Sequence, residues 1–289
     1  MRIPLLFTLL AMSAFTALAQ DVVTVTPAAP TVGASVTVTY HASAKAAILR
    51  SPRDLNAQLL AVGTDGMPTM VEVAMKKNGG SYSGAATVAE GVSLYYLQFS
   101  DGEKLDNNDE RLWTILVHGT DGNPVAGALY SRGQSYLSGR ALMLKFERDN
   151  EKGLADLREE VRLYPNAMGP RTLLWSATLR ATPGDSSKDA VAKELEDVYA
   201  RVKDNEKDVI ALLRSFEMTG QTERATAIRA EWTTKNPKGA IAENDRWQKV
   251  YQERDAAKRF ALFEQANADI PPKESDRAMR DNQYVNFAI

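Results

Sequence analysis

The spacing of the apolar residues changes once along this chain, and that change limits the fold more than any other feature. Before residue 119, Val23 and Val25, then Val36, Val38 and Tyr40, then Tyr95, Leu97 and Phe99, then Leu112, Thr114 and Leu116 recur at every second position. That is the repeat of a strand with one face turned inward. Past residue 130 the repeat becomes that of an amphipathic helix: Leu154, Leu157, Val161 and Tyr164; Val191, Leu195, Val198 and Val202; Val209, Leu212, Leu213 and Phe216. Charge changes with it. Residues 20–118 hold seven Lys/Arg and ten Asp/Glu, 17 charges in 99 positions, whereas residues 119–289 hold 27 of each sign, 54 in 171. A cluster of turn formers, His118, Gly119, Thr120, Asp121, Gly122, Asn123 and Pro124, lies at the change. A multidomain chain is expected, all-β and then all-α.

In the first part, turn signals at 27–33, 63–68, 78–80, 91 and 101–108 separate about seven alternating runs. Short strands at that spacing predict an immunoglobulin-like β-sandwich over residues 20–119, built without a disulfide. In the second part Pro165, Pro237 and Pro271 lie 72 and 34 residues apart, and the small residues Gly153, Ala190 and Ala225 lie 37 and 35 apart. Intervals of this size belong to stacked helical hairpins. The best copy, 208–237, has one helix carrying Val209, Leu212, Leu213 and Phe216, a turn at Gly220, a close helix approach at Ala225 and a stop at Pro237. It resembles a tetratricopeptide repeat at Gly220, Ala225 and Pro237, with Arg229 and Trp232 departing from the usual pattern. About four degenerate hairpins are expected from Ser131 to Asp269, within a helical-repeat domain over 125–270. Residues 271–289 are read as a tail or a linker to a further domain. Trp175, Trp232 and Trp247 read as core.

Met1 and Arg2, an uncharged apolar run over 3–15 and small residues at Ala17 and Ala19 form the three parts of a secretory signal peptide, residues 1–19, cleaved after Ala19. The apolar run is too short to span a bilayer, so the mature chain is expected to be exported, periplasmic or extracellular, with no membrane span. Cysteine is absent and histidine occurs twice, at His41 and His118. Thiol nucleophiles, disulfides and most zinc or iron–sulfur ligation are thereby excluded for these residues. The formal charge of -2 gives no long-range attraction for nucleic acid. No metal and no cofactor is expected.

Candidate binding residues are few. The stretch DGEKLDNNDE at 101–110 is rich in side-chain oxygens, with Lys104 as its one cation. It lacks the alternating ligands and closing Glu of a calcium loop and reads as a turn held by Asp106, Asn107 and Asn108. Residues 81–84, Val88, Gly91, Val92, the YYLQF strand, Asp106, Asn107, Asn108 and Trp113 resemble the closing half of starch-binding immunoglobulin-like modules. That likeness implies a sugar platform on Tyr95 or Tyr96. The competing reading has Tyr95, Leu97 and Phe99 facing the core and Tyr96 on an outer face. Tyr96, Asp106, Asn107 and Asn108 are therefore the candidate ligand-binding residues, with no catalytic residue assigned. GGSYSG at 79–84 has no serine elbow, and HExxH, GxxxxGK[ST] and GxGxxG are absent. Glu159 with Glu160 and Glu194 with Glu196 leave a carboxylate hydrolase as a minor alternative.

The order of parts, together with YSRGQSYLSGRALML at 130–144 and YPN at 164–166, is similar to the N-terminal half of exported thioredoxin-like thiol-disulfide oxidoreductases. In that group a CxxC domain follows. This chain has no cysteine, so no redox residue is carried over. The apolar Tyr284, Val285, Phe287 and Ile289 look like the entrance to a strand, as in a fragment or a variant without its redox part. The expected function is a non-catalytic exported scaffold that positions a protein partner through its helical repeats, either by groove binding or as a rigid spacer. Glucan binding by the sandwich is the alternative.

Overall fold

A computed structural model describes residues 21–63 and 68–269, with isolated positions 271, 274, 277, 278 and 282 beyond. The signal-peptide reading at 1–19, and almost all of the tail at 271–289, lie outside the described residues. The chain divides into two compact units, Met1–Asp149 and Asn150–Ile289. The division falls later than the change in charge density, because residues 128–149 belong with the strands. The coarse expectation of β followed by α holds.

The first unit contains β1 (Val23–Thr26), β2 (Ser35–His41), β3 (Leu55–Gly63), β4 (Pro68–Asn78), β5 (Ser81–Thr87), β6 (Val92–Ser100), β7 (Leu105–Asp106) and β8 (Trp113–Leu116). All pair antiparallel in the order β1-β2-β5-β4-β3-β6-β7, with β8 also on β6. β4 links the two halves of this path. Its first eight residues pair with β3, from Pro68↔Val62 to Met75↔Leu55, and its last three with β5, from Lys76↔Ser83 to Asn78↔Ser81.

The main core follows from the alternation. Val36, Val38 and Tyr40 of β2, Leu55, Ala57, Leu59 and Ala61 of β3, and Tyr95, Leu97 and Phe99 of β6 are all buried in one cluster. The opposite face of β3 and β6 is not left to solvent. Helix α1 (Ala128–Ser138) and a small hairpin, β9 (Arg140–Ala141) and β10 (Leu144–Lys145), follow β8. Ala141 and Phe146 from this segment join Leu60, Val62, Leu94, Tyr96 and Leu112 in a second buried cluster. Further along the same face a polar ladder takes over: Gln98 Nε2 donates to Gln58 Oε1 at 2.8 Å and Gln58 Nε2 to Glu72 Oε1 at 3.0 Å. Hairpins beginning at Ser131 are thus corrected. α1 is a cover for the sheet, since Tyr96 and its neighbours need an apolar partner on that side.

The second unit contains α2 (Asn150–Leu163), α3 (Met168–Ala181), α4 (Asp185–Val202), α5 (Glu206–Met218), α6 (Thr222–Lys235), α7 (Ala240–Gln252) and α8 (Ala256–Asp269). Consecutive helices pack together, and α3 also packs on α5 and α5 on α7. Val191, Leu195 and Val198 of α4, Val209, Leu212, Leu213 and Phe216 of α5, and Ala225, Ile228 and Trp232 of α6 form its main core. Polar clamps join the helices: Arg171 of α3 pairs with Glu194 of α4, Arg224 of α6 with Glu196 of α4 at 3.1 Å, and Arg229 of α6 with Glu217 of α5 at 3.1 Å. Glu206 at the start of α5 accepts from Asn236 Nδ2 at 2.9 Å and from the Ile241 amide at 2.8 Å, tying α5 to the entry of α7.

Candidate functional site

The four sequence candidates do not converge. Tyr96 is 1% exposed. Its hydroxyl lies 2.6 Å from Ser135 Oγ of α1, and its ring meets Phe146 edge-on at 5.5 Å between centroids. The outward-facing ring expected at this position is therefore corrected: a helix covers it. Tyr95, 3% exposed, is buried in the main core and accepts from the Ala89 amide at 3.1 Å. Neither tyrosine offers a face on which a sugar could stack.

Asp106 is 2% exposed and belongs to a different place, the junction of β7 with the end of β2. Its Oδ2 accepts from the Tyr40 hydroxyl at 2.6 Å and from the Ile48 amide at 3.1 Å; its Oδ1 accepts from the Asn108 amide at 3.1 Å. The Tyr40 oxygen in turn accepts from the Leu49 amide at 3.0 Å. Burial above all, then the hydrogen bond to Asp106, pushes the Tyr40 hydroxyl well above the ordinary phenol value. Asn107 Oδ1 accepts from the Glu110 amide at 3.0 Å, and Asn108 Nδ2 donates to the Leu112 carbonyl at 3.3 Å. Asn108, Asp109 and Glu110 all have left-handed backbone, φ 58, 57 and 63. Such a run is costly for residues with a side chain and is held here by the Asp and Asn hydrogen bonds. Both Asp106 oxygens serve the fold, so the loop works as a buckle between residues distant in sequence. No group of three or more His, Cys, Asp or Glu is placed to hold a metal among the described residues.

Of the paired carboxylates, Glu159, Glu194 and Glu196 serve the helices, and Glu160 is buried, 1% exposed. Glu159 takes a forked contact from Arg162 at 2.6 and 2.7 Å, which holds its carboxyl below the usual range. Glu194 accepts from Trp175 Nε1 at 2.8 Å as well as from Arg171, and Glu196 is occupied by Arg224. They do not share a cleft: Glu194 and Glu196 bind different partner helices.

Besides a hollow of about 160 Å³ lined by residues of α7 and α8, the described residues line two wider ones. One, about 250 Å³, opens in the first unit where β5 stops pairing with β4, between Thr69 and Val71 of β4 and Ala86 and Thr87 of β5, with Glu90 its one carboxylate among the described residues. The other, about 440 Å³, is in the second unit, between the end of α3, the start of α4 and α5. Leu179, Pro183 and Met218 give it an apolar floor, and Arg180, Lys188 and Arg214 stand around it. Sequence reading missed these three cations, which lie on three helices. One sign was available: the residues three and four away from Arg180 are Ser176, Ala177, Pro183 and Gly184, so no acid is spaced to neutralise it along its own helix.

Compared with known protein families, curated proteins and solved structures, the chain matches none of them.

Proposed function

We propose that the protein is a non-catalytic exported interaction module, in which degenerate tetratricopeptide-like hairpins carry a partner-binding surface and an immunoglobulin-like β unit precedes them. The observation that carries this is the packing of alternate helices. α3, α5 and α7 begin at residues 168, 206 and 240, and α3 packs on α5 as α5 packs on α7, while α4, α6 and α8 follow each of them in turn. This pattern supports a hairpin stack, in which one set of helices would line a continuous surface. Residues 208–237, the best copy in sequence, correspond to α5 and α6 with Gly220 between them at φ 84. In the β unit, the order β1-β2-β5 and the order β3-β6-β8, bridged by β4, support the immunoglobulin-like part of the reading.

Export rests on the signal-peptide pattern at 1–19, and an accessory role beside a thioredoxin-like partner rests on the order of parts. Glucan binding loses support because Tyr95 and Tyr96 are both buried. The test uses the mature chain from Gln20 as immobilised bait against a cell-envelope extract. Enrichment of a defined protein, competed by free chain, is expected. No enrichment over a bait carrying Phe216→Asp, which unfolds the helical core, would count against an interaction module.

A further inference from the structure

We propose that the groove between α3, α4 and α5 binds an acidic peptide segment of a partner protein, with carboxylates set beside an apolar side chain. This rests on reading the helical unit as an interaction module, and it names where and what that module binds.

Positive charge is left unspent around this groove. Five cations of the helical unit clamp its elements together: Arg171 with Glu194, Arg224 with Glu196, Arg229 with Glu217, Lys235 with Asp204, Arg246 with Asp269. The three around the groove do not clamp anything. Arg180 donates from Nε to the Ser176 carbonyl of its own helix at 3.2 Å. Lys188 reaches Asp185 at 4.0 Å, and that carboxylate is 98% exposed, a contact of small worth. Arg214 has neither an ion pair nor a side-chain hydrogen bond among the described residues. None of the described residues that line the groove is acidic. Three like charges around one concavity repel one another, and none of them ties one helix to another. An anionic occupant removes that cost.

The floor decides which anion. A free phosphate or a nucleic-acid backbone would satisfy the cations and leave Leu179 and Met218, both half-buried, uncovered. A peptide can place carboxylates on the arginine forks and an apolar side chain on the floor at the same time. Met218 suits this, being an unbranched side chain that adapts to what it meets.

Fluorescence anisotropy on the full mature chain tests the proposal. The probe is a short fluorescein-labelled peptide of alternating glutamate and leucine, compared with its glutamine counterpart. The glutamate peptide is expected to bind, the glutamine peptide about ten-fold more weakly, and the Arg180→Gln/Arg214→Gln chain about ten-fold more weakly than the parent, with an unchanged melting temperature. Absence of saturable binding, equal binding of the two peptides, unchanged affinity in the double variant, or displacement by inorganic phosphate at matched concentration would each overturn it. If partner capture from envelope extract persists undiminished with the double variant, this groove is refuted and the module reading stands. If the parent chain captures nothing, it is the module reading that falls.

Discussion

Replacing Asp106 by alanine strips the acceptor from a buried tyrosine hydroxyl and a backbone amide at once. Each buried donor left unpaired costs about 1–3 kcal/mol, so Asp106→Ala should lose about 2–4 kcal/mol in urea unfolding followed by tryptophan fluorescence. A change under about 0.5 kcal/mol would show that the buckle is not holding the β unit together. The same cluster predicts an alkaline limit. Folding raises the Tyr40 pKa, so the folded state keeps its proton while the unfolded phenol, near 10, releases it. The contribution is therefore fully present below about pH 10 and lost as pH rises above it. Stability measured at about pH 9 and 11 should fall, and Tyr40→Phe, less stable at neutral pH, should fall less over the same interval. An equal fall in both proteins would assign the alkaline loss to other groups.

At the level of helices and strands, the α5–α6 turn demands a particular backbone. Gly220 sits at φ 84, a conformation that costs a side-chain-bearing residue about 1 kcal/mol or more, so Gly220→Ala should be destabilising by that amount although space is open around it. Ala225, 1% exposed, marks where α6 meets its neighbours; Ala225→Trp should cost about 1–3 kcal/mol or more, read as a lower melting temperature. Both positions could be read from the sequence, as could the stripes of α4 and α5, because regular periods report regular elements. β6 was only half legible. The alternation of Tyr95, Leu97 and Phe99 gives one buried face, but Leu94 and Tyr96 are equally apolar, and a strand with few polar positions is covered on both sides. The cover, α1, comes from a stretch whose helical pattern had suggested a first hairpin. Which surface a helix meets depends on contacts between segments remote in sequence, and periodicity is blind to those. The groove was hidden for the same reason, since its cations come together only when α3, α4 and α5 pack.

For the molecule as a whole, two separate cores imply two separable responses to damage. Asp106→Ala should lower the unfolding of the β unit and leave the helical transition in place, and Ala225→Trp should do the reverse; a single transition shifted equally by both substitutions in calorimetry would contradict this. The burial of β6 carries a further consequence. This strand has β3 along one edge, β7 and β8 along the other, and side chains packed over both faces. α5 is its counterpart, touching α3, α4, α6 and α7. In deuterated solvent the slowest amide protons of the chain should therefore fall on two islands, β3 with β6 and the middle of α5, each outlasting the rest of its own unit.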